Sequence, residues 1–489
     1  MTRTGSVGPS RRGFLTGVLG LTVVSALAAC SQAAPSPTAA PAPATAKPAA
    51  TTAAASAPAV PPTTAAAASP AAALATAAAA PTTAPAAKAT VSAAPATLSI
   101  IGLDGHPSWI ATKEMIKKYH DVAPQVTIKT AEFALPQIND KVNLDFQAKK
   151  GEYDIVWMNS AQTEGYWVEA KIVIPLDQMI TKDYDIEDFL PLARNIATLK
   201  SQLFGISIMI EQRMLSYRKD LFDAAGLKVP TNVDEMTAAA QKLTNKSKNQ
   251  YGFSQRTAAS ISAAYDWVGW LYGYGGVLID QNNVPQLNTP EAKAALDAFL
   301  AINKFTSPAS NRGYGDVVKE LQTGVAAMAN DVTIILPLLE DPTQSKFAGK
   351  FGYDVAPAGP KGPRPETSAH ILSIDSLSKQ RDPAWQFLSW MTSKANNEPW
   401  CFAGGAAFRQ SMYEDKAIID KFPVYPLFEK ILNQGNPDYI PRIKPGFQLL
   451  DKLSQNINAA ITGVKMSQQA LSDSNAAMTD ILKQAGFLK

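Results

Sequence analysis

The chain has 489 residues, 46% of them from the hydrophobic set, with 45 Lys plus Arg, 42 Asp plus Glu, 3 His and 2 Cys. At about 150 residues per domain this length accommodates two or three domains with sizeable cores, and so few cysteines exclude a disulfide scaffold. No acidic residue precedes Asp104, whereas Arg3, Arg11, Arg12, Lys47 and Lys88 do; taking these five from the 45 leaves 40 basic against 42 acidic residues, a net of about −2 that excludes nucleic-acid binding by bulk charge.

Ser10-Arg11-Arg12-Gly13-Phe14-Leu15 places paired arginines before an apolar run from Leu15 to Ala29, which ends in Leu27-Ala28-Ala29-Cys30. Residues 1–30 resemble a twin-arginine export signal joined to a bacterial lipoprotein cleavage box. The run is too short and too rich in Gly and Ala for a permanent span. Cys30 is therefore expected to carry lipid, whose buried methylenes contribute about 0.8 kcal/mol each. Residues 31–97 are almost wholly Ala, Pro, Thr and Ser, without an aromatic or acidic residue. Such a segment cannot offset its ordering entropy. It is expected to be a disordered tether, reaching on the order of 45 Å as a coil, so the folded body is placed outside the cytoplasm and held at a membrane.

Downstream, strands and helices alternate. A short apolar strand spans Thr97 to Gly102, a helix from about Ser108 to His120 carries Trp109, Ile116 and Tyr119 on one face, and further strands lie at Val126 to Thr130 and Asp154 to Trp157. This is the pattern of βα units around a mainly parallel sheet. Thr231 with Asp234 forms a capping box ahead of Val233, Met236, Ala240 and Leu243, and Asp382 with Pro383 starts a helix ahead of Phe387, Leu388 and Met391. Leu450, Leu453, Ile457, Ile461 and Val464 recur at helical spacing, and another helix lies near Leu471 to Leu482.

Phe204-Gly205-Ile206-Ser207-Ile208, then Glu211, Met214-Leu215-Ser216-Tyr217-Arg218-Lys219-Asp220-Leu221-Phe222 and Ala225-Gly226-Leu227 resemble the interlobe crossing of extracellular solute-binding proteins of the carbohydrate importer class. Tyr153-Asp154-Ile155-Val156 with Pro175-Leu176-Asp177, Gly275-Gly276, and Gly324-Val325-Ala326-Ala327-Met328 with Asp331 fit the same family. So does Asp341-Pro342 through Ser345-Lys346 to Gly352-Tyr353-Asp354-Val355-Ala356-Pro357. Glu211 and Arg409-Gln410-Ser411 are similar to the branch that binds sugar alcohols and monosaccharides. The resemblance spans residues 98–489 and rests on the order and spacing of motifs that are individually weak.

It implies an α/β, two-lobed periplasmic-binding-protein-like fold of type II, with three crossings between the lobes and a ligand cleft between them. Crossings are expected near Ile210, Asn330 and Thr392, giving lobe 1 as 98–210 with 331–391 and lobe 2 as 211–330 with 392–489. It further implies a monomer that closes on a small carbohydrate or polyol and delivers it to the permease subunits and ATPase of an ABC transporter, with no cofactor or metal.

Such a ligand presents hydroxyls that donate and accept, plus apolar C–H faces, so its cleft needs carboxylates, amides, a forked donor and aromatic faces. Asp104, His106 and Trp109 follow the first strand; Trp109 serves equally well as a core residue of its helix, and His106 as a solvated loop residue. Asn159, Ser160 and Gln162 follow a later strand, where short polar residues also cap helices. Glu211 follows the apolar run Ile206 to Ile210, with a salt bridge to Arg213 or Arg218 as its other reading. Asp331 occupies the corresponding place at the second expected crossing, or caps a helix. Trp267, Trp270 and Tyr272 crowd one helical segment, where some must be core. Arg409 follows Gly404-Gly405, as a fork for two hydroxyls or as a surface ion pair. At His370, where the polyol branch tends to carry an aromatic residue, a satisfied buried imidazole is the ordinary alternative.

Enzymatic signatures are missing: no HExxH pair, GxSxG elbow, phosphate loop or cysteine cluster occurs. Cys401 reads as a small buried hydrophobe, and acidic pairs such as Asp154 with Glu152 lie too close in sequence to read as a glycosidase acid and base. The expectation is a binding protein and not an enzyme. A lipid-anchored carbohydrate-active hydrolase and a surface adhesin are the alternatives from other classes.

Overall fold

The computed structural model describes residues 94–489; the expected leader, the lipid site at Cys30 and the tether up to residue 93 lie outside the described residues. The strands are β1 (Ala96–Leu103), β2 (Val126–Phe133), β3 (Ile155–Asn159), the two-residue β4 (Thr198–Leu199) and β5 (Gln202–Leu203), β6 (Ile206–Arg218), β7 (Met328–Val332), β8 (Phe351–Val355) and β9 (Thr367–Ile374). One sheet runs β2-β1-β3-β9-β6-β7, and β8 also pairs with β6. The sheet expected to be mainly parallel is mixed. β1 pairs in parallel with β2 and β3, whereas β9 runs antiparallel to β3 and β6, as do β7 and β8 to β6. The reason is the return path: β6 and β9 carry the chain out of the first lobe and back.

β6 organises both lobes. Its first half, Ile206 to Gln212, pairs with β9, and its second half, Arg213 to Arg218, pairs with β7 and β8. At about 3.3 Å per residue this strand is roughly 43 Å long, enough to pass through two domains. The first core gathers Leu98, Ile100, Trp109, Trp157, Phe387 and Phe408. Beyond the crossing, neighbouring β6 side chains point to opposite faces, so Leu215 joins a second core with Trp267, Phe299 and Leu450, while Met214 joins a third with Val317, Leu321 and Ile335. The fold is thus α/β and two-lobed.

Two expected crossings do not coincide with this packing. Asn330 lies inside β7, opposite Leu215 of β6, and Ile335, Leu339 and Phe351 pack in the third core. The chain returns to lobe 1 only at the start of β9, where Thr367 pairs with Gln212. Likewise the chain has not left lobe 1 at Thr392: Trp400, Cys401, Phe408, Met412 and Tyr425 belong to the first core, and Tyr439 and Ile440 are the next residues in the second. The third crossing therefore falls between Leu432 and Tyr439. Sequence spacing missed both because helical and strand periodicity marks a buried face without saying whose core it enters.

Helix starts shift by a residue or two. The helix Val233–Leu243 is capped by Asn232, whose side chain accepts the Glu235 N–H, while Thr231 bonds the Glu235 carboxylate. Asp382 sits inside the first turn of Arg381–Met391, whose cap position is Gln380. The C-terminal helices span Gly446–Ile461 and Ser467–Gln484 and bury Leu450, Leu453, Ile457, Leu471 and Leu482. Among the described residues no helix is long and apolar enough to cross a membrane.

The third crossing is tied back to lobe 1 by Arg442. Its guanidinium donates to the carbonyls of Asn195, Ile196 and Thr198, where the helix Pro191–Ile196 ends, and lies 3.5 Å from the Glu164 carboxylate. Burial pushes the Glu164 carboxyl up to about 8, and Arg442 offsets this only partly. A carboxyl raised on folding contributes stability that is present below its unfolded value, near 4.5, and lost as pH rises through about 8. The melting temperature is therefore expected to fall between pH 5 and pH 8.5. Glu164→Gln should reduce that fall, by roughly 2–4 °C per kcal/mol of the contribution removed. Thermal unfolding of both proteins across this range checks it, and equally steep falls would rule Glu164 out as the source.

Candidate functional site

Alternation along β6 also decides what faces the gap between the lobes. Glu211 and Arg213 share one face, and Ile210 and Gln212 the other. Glu211 borders a cleft of about 280 Å³, at the small end of ligand-sized pockets. Lobe 1 contributes Leu103, His106, Leu135, Asn159 and Gln162; the far wall is Arg256, Ile261, Ser262, Tyr265, Tyr314, Val332 and Ile334; Glu366, Ser368 and His370 come from the start of β9 and the residue before it.

Local sequence places each lobe 1 group. After β1 the chain turns at Asp104-Gly105, where Gly105 adopts φ +70°, and His106 becomes the N-cap of the helix Pro107–Val122 by accepting the Ser108 N–H at Nδ1, 3.2 Å away. Asn159 ends β3, and its Oδ1 accepts the N–H groups of Ala161 and Gln162, each at 3.1 Å, a turn that brings Gln162 to the cleft. His370 sits in β9 opposite Asn159 of β3 and Met209 of β6. Its Nδ1 accepts the Trp157 indole N–H at 2.8 Å.

Glu211 is the centre of this arrangement. His106 Nε2 lies 3.8 Å and His370 Nε2 3.6 Å from its Oε1, while Ser368 Oγ donates to its Oε2 at 3.4 Å. Burial acts to raise the Glu211 carboxyl, but the two imidazoles outweigh it and hold the group well below the usual carboxylate range. His106 is lowered to about 4, by burial first and His370 next, with Glu211 opposing. Both groups are therefore fixed near neutral pH: an anionic carboxylate beside an uncharged His106.

Behind the cleft lies a buried charge network. Arg256 is held by Asp331 through Nε at 3.1 Å and through a shorter contact from Nη2. Arg213, 2% exposed, contacts Asp266 at 3.1 Å and Glu366 at 2.6 Å and donates to the Asn330 carbonyl at 2.6 Å. Burial raises Glu366 to about 7 and Asp266 to about 6, in both cases opposed first by Arg213. Arg256 thus reaches the cleft with its position set from behind and its Nη1 not engaged by Asp331.

Of the residues singled out from sequence, His106, Asn159, Gln162, Glu211 and His370 converge on this cleft. The others do not. Asp331 stands behind Arg256. Trp109 is fully buried in the first core, edge-on to Trp157 at 6.0 Å. Trp267 is fully buried in the second core, Trp270 packs on Phe299 at 5.7 Å, and the Tyr272 hydroxyl donates to the Tyr439 carbonyl at 3.0 Å. Asp104 is exposed on its turn. Arg409 is fully buried within lobe 1, donating to the carbonyls of Thr392, Asp185 and Tyr184 at 2.8 to 3.0 Å and stacking over Phe189. Apolar context captured these tryptophans, and carbonyl-rich loop ends captured the arginine.

Arg256, Tyr265, Tyr314, Glu366 and Ser368 were not anticipated. Glu366 directly precedes the strand Thr367–Ile374, which begins with polar residues and so gave no signal comparable to the apolar run before Glu211. Tyr265 and Tyr314 carried none, since Tyr265 lies among the buried residues of its helix and Tyr314 shares a face with the buried Val317, Val318 and Leu321, which reads as core. A second cavity, of about 250 Å³, touches the other face of β6 at Ile210 and Gln212 and is walled by Leu336, Tyr413, Phe422, Tyr425 and Phe428. Its lining is almost entirely apolar and offers little to orient a polar ligand, so the cleft at Glu211 is the candidate site.

Residues 110–398 match the family described as bacterial extracellular solute-binding protein. A mannitol-binding protein of Pseudomonas aeruginosa is 26% identical over 422 residues, covering 80% of this chain and 94% of that protein. A solute-binding protein from Agrobacterium radiobacter solved with ribitol superposes with a TM-score of 0.72 at 27% identity, covering 79% of this chain and 98% of the other. One from Agrobacterium vitis with bound D-mannitol gives 0.70 at 26% identity, covering 80% and 99%.

Arg213 is the cation on which Asp266 and Glu366 both depend. Removing one member of a buried ion network leaves charge uncompensated, which costs about 3–5 kcal/mol. Arg213→Met is expected to lose that much in urea unfolding, and Arg213→Met combined with Asp266→Asn to lose less than the single variant. A single variant as stable as the parent would show that the network contributes nothing.

Proposed function

The chain belongs to the bacterial extracellular solute-binding protein family, and on that premise we propose that it captures a neutral sugar or sugar alcohol between its lobes and hands it, chemically unchanged, to the permease of an ABC importer. One observation carries the reading: a polar cleft at the lobe crossing in which an anionic carboxylate, two imidazoles and a guanidinium converge. Its size suits one monosaccharide or one short polyol rather than an oligosaccharide. The mannitol-binding relative and the ribitol- and mannitol-bound structures support this ligand class.

The ligand set on this reading is Glu211, His106, His370, Asn159, Gln162 and Arg256, with Tyr265 and Tyr314 covering apolar carbons. The moving parts are lobe 1, residues 94–212 and 367–432, and lobe 2, residues 213–366 and 439–489, hinged where β6, β9 and the third crossing meet. A bound molecule that touches both lobes favours the closed form by its extra contacts there. Lipid at Cys30 and the Ala- and Pro-rich tether would keep a monomer near its permease outside the cytoplasm.

A hydrolase is favoured by one feature, the pairing of an anionic Glu211 with a Glu366 raised to about 7, since acid and base roles arise from carboxyls pushed apart. Glu366 is 1% exposed and its carboxyl is engaged by Arg213 at 2.6 Å, which commits it to a guanidinium and not to protonating a glycosidic oxygen. Prolonged incubation with oligosaccharides is expected to yield no product.

Thermal-shift measurements with monosaccharides and polyols test the carrier reading, since a ligand at 100 times its Kd adds about 2.7 kcal/mol to stability. Glu211→Ala should weaken binding at least about tenfold, because hydrogen bonds to charged groups contribute about 1.5–3 kcal/mol each. Arg409→Lys should lower the unliganded melting temperature and leave the ligand-induced shift intact. Wild-type shifts that survive Glu211→Ala would move the site elsewhere.

A further inference from the structure

His106, Glu211 and His370 each offer one atom, and these atoms lie within 4.8 Å of one another, the spacing of a metal site. The groups behind them decide otherwise. The Trp157 indole donates to His370 Nδ1 at 2.8 Å, and the Ser108 N–H donates to His106 Nδ1 at 3.2 Å. An indole and a backbone amide nitrogen can only donate, so each Nδ1 must keep its lone pair, and each neutral ring carries its proton on Nε2. Metal-binding imidazoles show the reverse: the outer nitrogen is protonated and faces an acceptor. Neither ring here can offer a lone pair at Nε2 without setting N–H against N–H in a buried site.

The cluster is therefore two N–H donors and one carboxylate acceptor. The N–H groups lie 3.6 and 3.8 Å from Glu211, near enough to favour its anion but longer than a formed hydrogen bond, and His106 Nε2 is buried without any hydrogen-bond partner. An oxygen seated just out of the plane of these three atoms can reach each of them at hydrogen-bond length. An alcohol hydroxyl has two lone pairs and one proton, which satisfies both imidazoles and Glu211 together. A ligand carbonyl has no proton for Glu211, an ammonium has no lone pair for the imidazoles, and a carboxylate or phosphate repels the anion.

We propose that this trio reads a single alcohol hydroxyl of the ligand, and that Trp157, fully buried and outside the cleft, is a positioning residue that sets the reading by fixing the His370 tautomer. The proposal rests on the carrier reading above and narrows it to ligands that present an unsubstituted hydroxyl at this point.

With only three histidines in the chain, histidine-selective ¹⁵N labelling of the full-length protein resolves the tautomers at neutral pH. Both His106 and His370 are expected as Nε2–H forms. An Nδ1–H form of either, or stoichiometric Zn²⁺ binding that His370→Ala abolishes, overturns the proposal. Trp157→Phe keeps an aromatic ring, though a smaller one, and removes the donor. It is expected to mix the His370 tautomers, leave His106 unchanged, and weaken whichever of D-mannitol, ribitol or erythritol binds wild type by about tenfold. A folded Trp157→Phe protein with unchanged tautomers and affinity also overturns it, because a purely structural role would alter stability alone. Should the variant not fold, the wild-type spectra and the zinc titration still decide. Wild type that binds none of the three polyols, with both Nε2–H forms present, counts against the carrier reading and leaves the tautomer assignment standing.

Discussion

Everything in this molecule is arranged around one uninterrupted strand that belongs to two cores. β6 enters as a member of the first sheet beside β9 and leaves flanked by β7 and β8. Because its side chains alternate, the residues at the changeover are committed in pairs: Glu211 and Arg213 to the cleft side, Ile210 and Gln212 to the opposite side. The cleft and the crossing coincide, since both are built from the same few residues of β6.

Placing polar chemistry at such a junction carries a desolvation cost. The structure meets it by layering. Glu211 is held anionic by imidazoles whose own protons are fixed from behind, and Arg256 is aimed by Asp331 while Arg213 neutralises Asp266 and Glu366. His106, His370 and Arg256 are thus each oriented by a partner that does not line the cleft. Such support keeps donors and acceptors in place before a ligand arrives, which lowers the ordering entropy lost on binding. The apolar cavity across β6 is the contrast: similar in volume, it has shape without direction.

The fold was legible where periodicity and caps are local. The first strand and helix, the helix beginning near Val233 and the two C-terminal helices appear within a few residues of expectation, because buried faces and N-caps are written in adjacent residues. Glu211, Asn159 and His370, polar groups that directly follow or interrupt a strand, line the cleft as expected of their position. Trp109, Trp267, Trp270 and Arg409 do not line it, because their large side chains are used for packing or for loop carbonyls. Aromatic rings and guanidinium groups serve both purposes, and nothing in their neighbours in sequence distinguishes the two.

By itself, then, the sequence determined the Ala- and Pro-rich composition of residues 31–97, the α/β character of the body and the carboxylate at the strand crossing, since each is a property of contiguous residues. Only the tertiary structure decided where the second and third crossings fall, that Arg256 and Glu366 join the cleft, and that Asp331 and Arg409 do not. It alone placed Trp157 behind His370, 213 positions away in the chain. Those are outcomes of which core a segment enters and which hydrogen bond closes first, and burial and proton position are set by neighbours in space, not in sequence.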